Sequence, residues 1–521
     1  MALMDVQPLS PHAKRLVSQL EAATHISHPA GPTYHMTSLG GGFYFAYEQL
    51  RNVAEYREHH LLLRGAIERY LRRYVNFAKV RPASTDLANE LIQSGYIMND
   101  SVPVQTLDAI DQVLERYGLI FHSLKSSHVP DSDAANWLED SVSVEIENLL
   151  APDPRGGVFM QFAYEHFFYA IDKDTIIPEG ISDHEYRVSL FCAVHRAIFK
   201  SDLATTRYYC MAISLPEIEH QPPEHIAELN RLIDTLYGNP ITNRLTRLIN
   251  RYGTPIRILR ELVMESTVSP GMFEHKTETI SRVKDICSQE YARTKKSLGS
   301  RIIKSIFFIL VTKTLVGVAI EVPYDLFTVG VIGWQPLLIN IAFPIIYMAG
   351  ISSRISMPSR QNTDLVASYV ERILYDREPV RYQPKRRVSS AGLNATFSFV
   401  YALGFVGSIV LLIWILGKLN FNIVQGLIFF LFFSAVSFLG FRIRQQAHEL
   451  AMMDEHEDLV QTLTDFLSAP FVRVGHWLSD KYARANFVTA ILDLAIEMPI
   501  KTTLRMLRQW ARFMRDKQEE I

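Results

Sequence analysis

Two long apolar runs in the second half of the chain constrain its fold more than any other feature. The first run is almost continuously apolar, and one helix of its length would far exceed the ~20 residues that cross a bilayer. Pro323 and Pro336 flank a glycine-containing break in this run, and prolines interrupt helices. The pattern therefore predicts transmembrane hairpin 1 at 304–351, with two antiparallel spans at 304–323 and 335–351.

The second run predicts another pair of spans, at 396–416 and 422–441. Both stretches are long enough to cross a bilayer, and neither carries a charged residue. Because only the short sequence GKLNF connects them, they are expected to form transmembrane hairpin 2 at 396–441. The predicted fold is all-α, with four transmembrane helices in two hairpins.

The distribution of basic residues predicts the orientation of these spans. Arginine and lysine are concentrated before the first span, between spans two and three, and after span four, whereas the two opposite loops hold only Lys418. The positive-inside rule then places both termini and the central loop, 352–395, in the cytoplasm. The N-terminus shows no cleavable signal peptide pattern, which agrees with this topology. The expected location is a plasma or inner membrane.

The first 300 residues are predicted to form a large cytoplasmic helical domain. Apolar residues recur there at three- and four-residue spacing, and no alternating strand pattern with hairpin turns is present. The turn-rich segment APDPRGG at 151–157 suggests a division into 1–150 and 151–300.

Two segments are expected to carry basic residues at the membrane surface. The central loop, 352–395, should contain one short helix, followed by a basic stretch at anionic headgroups. The tail, 442–521, ends in a basic amphipathic helix, which suits either the membrane interface or packing on the protein itself. The membrane-surface candidates are Lys385, Arg386, Arg387, Arg505, Arg508, Trp510 and Arg512.

The side chains of hairpin 1 offer the most interesting chemistry. Lys313 falls about midway through the first span, Glu321 two turns later, and Asn340 at a similar depth in the second span. An ionised lysine at the bilayer centre costs ~2.5 kcal/mol or more, so such residues usually face protein or water. One interpretation is a proton or ion site for transport. The alternatives are a snorkelling lysine, a Lys313–Glu321 pair that serves packing, or a span boundary misplaced by one turn.

Other candidate sites are weaker. Glu217, His220 and His225 could contribute metal ligands, but two prolines separate the histidines, which favours an ordinary capped loop. Cys192 and His195 are three residues apart on a predicted helix and could form a thiol–imidazole nucleophile. A cysteine at such a position is more commonly part of the core. No cofactor is expected.

The formal net charge of -2 conceals an uneven distribution. Residues 1–280 carry a net charge of -10, whereas the segment 281–445, with the spans and their flanks, carries +11. This distribution excludes a dominant basic surface for nucleic acid and favours the lipid bilayer and its anionic headgroups as partners.

Three functions are compatible with these patterns. The first is a non-enzymatic scaffold that binds a protein partner through its cytoplasmic domain. The second is an oligomeric ion or small-solute transporter or channel that uses hairpin 1, and the third is a membrane-associated enzyme. The absence of catalytic motifs beside strong membrane signals puts the scaffold first.

Overall fold

The computed structural model shows an all-α protein, as predicted. Within the residues it describes, the only β features are two isolated bridges, Thr33 with Pro103 and Ile171 with Tyr382. The described residues are 7–24, 31–36, 62–73, 83–176, 181–265, 270–328, 330–353, 357–378, 380–382, 391–452 and 459–485.

The helices before the membrane segments are short and numerous. They are α1 (Pro11–Thr24), α2 (Leu62–Arg72), α3 (Ser84–Gln93), α4 (Val104–Ser126), α5 (Asp131–Leu150), α6 (Pro154–Ala170), α7 (Lys173–Ile176), α8 (Asp183–Val194), α9 (Leu203–Ser214), α10 (Pro223–Tyr237), α11 (Pro240–Tyr252) and α12 (Thr254–Met264). A π-helical turn, His195–Phe199, continues α8.

The remaining helices range from seven to 41 residues in length. They are α13 (Lys276–Val316), a π-helical turn (Gly317–Glu321), α14 (Val322–Thr328), α15 (Trp334–Ser353), α16 (Arg360–Tyr375), α17 (Ala391–Lys418), α18 (Ile423–His448) and α19 (Leu459–Ala485).

Local chemistry explains where several of these helices begin. Ser182 caps α8 in a reciprocal capping box with Glu185, and the carboxylate of Asp153 accepts a hydrogen bond from the Gly156 backbone N–H at the start of α6. Side chains of this kind satisfy backbone donors that have no partner within the helix.

The helical domain contains two apolar cores that interleave along the sequence. One core joins α2–α5 to α9 and α10, and the other joins α1, α6, α11 and α12 to α13 and α16. Helix α8 contributes to both cores, with Leu190 on one side and Phe191 on the other. The boundary expected between 150 and 151 therefore does not separate the two cores.

Helix α13 connects the domain directly to the membrane segments. It runs for 41 residues without interruption, from Val283 and Ile286 in the domain core to Lys313 among the apolar helices. Helix α16, from the central loop, packs into the same core through Val366 and Val370. The domain is thus built partly from segments that lie between the apolar helices in sequence.

The third connection lies in the segment just after α18, which is hydrogen-bonded to Asn362 of α16. Its amide nitrogen donates to the hydroxyl of Tyr291 (2.8 Å) and to the carbonyl of Leu450 (3.0 Å). Its amide oxygen accepts from the backbone N–H of Met452 (2.7 Å). This one buried side chain therefore ties together α13, α16 and the segment after α18.

In the part of the chain that the structure describes, three helical segments are long and apolar enough to cross a membrane: Lys276–Thr328, Trp334–Ser353 and Ile423–Ala447. Within the described residues, the apolar part of α17 is shorter, Ala402–Lys418. The structure therefore shows three candidate spans clearly, where four were predicted.

The expected helix end at Pro323 is wrong, because the helix continues to Thr328. Pro323 lacks a backbone N–H, and its ring would clash with a carbonyl one turn earlier in a regular α-helix. The π-helical turn Gly317–Glu321 changes the hydrogen-bond register just before this proline, which lets the helix pass through it. Among the described residues, the break falls at 330–333, within the glycine-containing stretch that Pro323 and Pro336 flank.

Helix α19 packs closely on α18. A Cβ atom at Gly475 would lie 2.3 Å from the carbonyl oxygen of Ser434 and 2.6 Å from the Cβ of Phe438, so only glycine permits this approach. The ring of Phe471 lies 4.5 Å from that of Phe433. Part of the segment expected to be a cytoplasmic tail therefore rests against an apolar helix.

Candidate functional site

Six polar residues from three apolar segments meet between the helices and form what we call the intramembrane polar cluster. All but Asn422 are buried. The members are Lys313, Glu321 and Asp325 from α13, the π-helical turn and α14, Asn340 from α15, Asn422 at the N-cap of α18, and Gln425 within α18.

The π-helical turn brings Lys313 and Glu321 to the same side of their helix. In an uninterrupted α-helix, residues eight apart are offset by about 80° around the axis. A π-helical turn accommodates one extra residue, so the offset approaches the ~20° of residues seven apart. The ammonium nitrogen of Lys313 consequently lies 3.5 Å from the Oε1 atom of Glu321.

Two other helices complete the surroundings of this pair. The amide nitrogen of Asn340 donates a hydrogen bond of 2.7 Å to the Oε1 atom of Glu321. The ammonium nitrogen of Lys313 lies 4.4 Å from the centre of the Phe432 ring on α18, a cation–π arrangement. Lys313 therefore faces protein, and snorkelling does not describe its position.

The carboxylate of Asp325 is surrounded by donors. Its Oδ1 atom accepts from the side-chain amide of Asn422 (2.8 Å). Its Oδ2 atom accepts from the side-chain amide of Gln425 (2.9 Å) and from the backbone N–H of Gly333 (3.0 Å). These bonds join the end of the first candidate span to the N-terminal ends of α15 and α18.

A capping box at the start of α18 fixes which atoms face Asp325. The Asn422 side-chain oxygen accepts from the backbone N–H of Gln425, and the Gln425 side-chain oxygen accepts from the backbone N–H of Asn422. Both amide oxygens are therefore occupied, so both amide NH₂ groups point toward the carboxylate.

Two acceptor atoms in the cluster lack a donor. The Oε2 atom of Glu321 and the side-chain oxygen of Asn340 are buried without a hydrogen-bond partner, and so is the ammonium nitrogen of Lys313, which is a donor. Buried polar atoms in proteins almost always have a partner, and those without one mark functional positions or places where another species binds.

The structure brings together the three predicted transport residues, Lys313, Glu321 and Asn340. The sequence did not reveal the contributions of Asn422, Gln425 and Phe432. The spacing Asn-x-x-Gln at the start of α18 is a capping signature that could have drawn attention to those amides.

The predicted metal ligands lie on the surface of the helical domain. Glu217 and His220 face each other at 3.6 Å and are both exposed, whereas His225 lies on α10 beyond two prolines. In the part of the chain that the structure describes, no group of three or more His, Cys, Asp or Glu side chains could hold a metal ion.

Burial argues against a nucleophile at Cys192. Its thiol and the imidazole of His195 are both completely buried. Burial raises the pKa of the Cys192 thiol well above its ordinary value and lowers the pKa of His195 to about 3. Both groups are therefore neutral near pH 7, as in an apolar core.

The predicted membrane-surface residues Lys385, Arg386, Arg387, Arg505, Arg508, Trp510 and Arg512 lie outside the described residues.

Comparison of the chain with protein-family models, curated proteins and solved structures finds no match. Function must therefore be inferred from the arrangement of its own residues.

Proposed function

We propose that the chain is a multi-pass membrane protein that acts as a scaffold for a protein partner. In this proposal α17 forms a fourth span, and both termini and the central loop face the cytoplasm of a plasma or inner membrane. The basic residues that flank the apolar segments support this orientation. The 28 residues of α17 are sufficient for a span.

The observation that carries the proposal is the triple connection between the domain and the apolar helices. Helix α13 passes from one into the other, α16 returns to the domain core, and Leu450 and Met452 dock on Asn362. The carboxylate of Glu449 adds a 3.0 Å ion pair with Lys200. A flexible tether would need only one connection, so three connections favour a domain held at a fixed height and orientation.

Charge indicates the kind of partner. The first 280 residues carry a net charge of -10, which disfavours contact with anionic lipid and favours a partner with a basic surface. A domain that is fixed in place and repelled by headgroups leaves its outer face free for such a partner.

The topology can be tested with single introduced cysteines. The three native cysteines are buried, so they should contribute little background to labelling in the native state. We expect a cysteine at Asn420, between α17 and α18, to react with a membrane-impermeant maleimide in intact cells. A cysteine at Arg377 should react only after permeabilisation. Labelling of both positions from the same side would contradict the fourth span.

Partner binding can be tested with a photo-crosslinking amino acid in the full chain. Suitable domain positions are Leu119 and Met98, which are 67% and 81% exposed, and Ile413 on the apolar face of α17 is the control. We expect a discrete protein adduct from a domain position in native membranes and lipid adducts from Ile413. Replacing Asn362 with Ala should weaken the protein adduct, because it loosens the fixed orientation. Absence of protein adducts from every exposed domain position would contradict a scaffold.

Transport through an oligomer is a second candidate, favoured by the buried contacts among Lys313, Glu321 and Asn340. Lys313→Ala and Glu321→Ala should then abolish ion or proton flux into liposomes that contain the purified protein. Equal flux in wild type and both variants would rule this candidate out.

A further inference from the structure

The intramembrane polar cluster contains one cationic and two carboxyl side chains. Lys313, Glu321 and Asp325 are the ionisable members, and all three are buried. If all were ionised, the cluster would carry one uncompensated negative charge in apolar surroundings, which is costly. A neutral Lys313 would make this imbalance larger, so the charge must be balanced at a carboxyl group.

Asp325 is poorly suited to carry a proton. All three of its hydrogen bonds come from N–H donors, namely the amides of Asn422 and Gln425 and the backbone of Gly333. A proton on either oxygen would be directed at a donor instead of an acceptor. The adjoining N-terminal ends of α15 and α18 also favour a negative charge at this position.

Glu321 offers the opposite arrangement. Its Oε1 atom accepts from Asn340 and faces Lys313, while its Oε2 atom has no partner. The side-chain oxygen of Asn340 is an acceptor that also lacks a donor. The ammonium nitrogen of Lys313 is a donor without a hydrogen-bond partner, but its charge is already counted in the balance of the cluster. A carboxylic acid O–H at Glu321 would supply a further donor and also remove the charge imbalance.

We propose that the intramembrane polar cluster is a binding site for a single proton, carried by Glu321. A proton from the aqueous phase forms an O–H bond at the Oε2 atom, and the net charge of the cluster changes from one negative charge to zero. No redox partner or leaving group is involved. The proposal is independent of the scaffold function and holds whether or not the protein transports protons.

A metal cation fits this site less well. Ca²⁺ takes six to eight oxygen ligands and Mg²⁺ requires octahedral coordination, whereas the cluster offers two unpartnered oxygens. The ammonium group of Lys313 lies 3.5 Å from the same carboxylate and would repel a bound cation. From the packed helices, the neutral amide of Asn340 contacts Glu321, and the apolar ring of Phe432 contacts Lys313.

The test is infrared difference spectroscopy on the full-length protein in lipid bilayers, between acidic and alkaline buffer. We expect the C=O band of a protonated carboxyl in apolar surroundings, present in acid and lost in alkali. The isosteric variant Glu321→Gln should lose this band, and the control Glu147→Gln, at a carboxyl of the helical domain beside Arg64, should retain it. A band that survives Glu321→Gln, or is lost in Glu147→Gln, would overturn the assignment.

Two further measurements keep the proposal testable if a variant fails to fold. Wild-type protein labelled with ¹³C at glutamate carboxyl groups should show the band shifted, and an unshifted band would place the proton elsewhere. Replacing choline with sodium at constant pH should leave the band unchanged. Loss of the band in sodium would show that a metal cation competes for the site and would overturn the assignment to a proton alone.

Discussion

The helical domain and the membrane helices both bury cations, but they surround them differently. Arg207 is almost completely buried in the domain and donates to Asp140 (2.9 Å), Asn230 (2.8 Å) and Asp234 (2.6 Å). Lys313 is equally buried, but its one carboxylate partner is at 3.5 Å and its other neighbour is an aromatic ring.

A second arginine follows the domain pattern. Arg64 is 1% exposed and donates to Asp202 at 2.5 Å and to the hydroxyl of Thr205. Each arginine thus links helices through several directional bonds, which the planar guanidinium favours. Both arginines therefore stabilise the packing of helices. Lys313 has few polar contacts and belongs to a cluster whose protonation can change.

Among the changes that test this comparison, Arg207→Met is expected to cause the largest loss of stability. Removing the guanidinium leaves the carboxylates of Asp140 and Asp234 without their cationic partner. Because these carboxylates are 27% and 42% exposed, we expect a loss of about 2–3 kcal/mol, less than for a fully buried pair. The free energy of unfolding, measured by denaturant titration in detergent, should fall accordingly. Trp137 donates to Asp234 and provides a fluorescence signal close to the change.

The control for Arg207→Met is an exposed pair, Lys125 with Asp131. Lys125→Ala should change stability by less than about 1 kcal/mol, because solvent-exposed ion pairs contribute little. Similar losses in the two variants would remove the distinction between structural and surface charges.

A change of pH is expected to have an intermediate effect on the free energy of unfolding. Burial raises the pKa of Glu147, beside Arg64, to about 7. The folded state therefore binds this proton more tightly than the unfolded state, so the associated stability is present at acidic pH and is lost as pH rises through about 7. The free energy of unfolding should decrease by on the order of 1–2 kcal/mol between pH ~5 and ~8.

Glu147→Gln should flatten this pH dependence, and Glu145→Gln on the same helix is the matched control. Glu145 accepts a hydrogen bond from Arg116 and is not part of the Arg64 network. If Glu147→Gln leaves the slope as steep as in the control, the pH dependence has another origin.

The smallest effect on stability is expected from Lys313→Met. Methionine keeps an unbranched apolar chain over Phe432, a protonated Glu321 is already neutral, and three N–H donors hold the charge of Asp325. The loss should be below about 1 kcal/mol in the same titration, within the range of volume-conserving substitutions. A loss as large as that of Arg207→Met would show that Lys313 stabilises the packing of helices as well.

Much of the fold could be predicted because its causes are local. Helical periodicity and long apolar runs are properties of neighbouring residues, and they predicted an all-α chain with membrane helices. The continuation of the helix through Pro323 could not be predicted from local patterns, because it depends on a π-helical turn that no simple residue pattern marks.

The candidate site was partly predictable for the same reason. Lys313, Glu321 and Asn340 stand out as polar residues in apolar segments, and a hairpin places them near each other. The partners from α18, Gln425 and Phe432, are about a hundred residues away in sequence, and only packing of a third helix reveals them.

The sequence by itself determined that the chain is helical, that it has segments long and apolar enough to cross a membrane, and that it concentrates its cations around them. Only the tertiary structure decided that α16 belongs to the domain core and that donors surround Asp325 while Glu321 retains an unpartnered oxygen. The physical reason is that burial and hydrogen bonding arise between distant segments, whereas periodicity and hydropathy are carried by each segment alone.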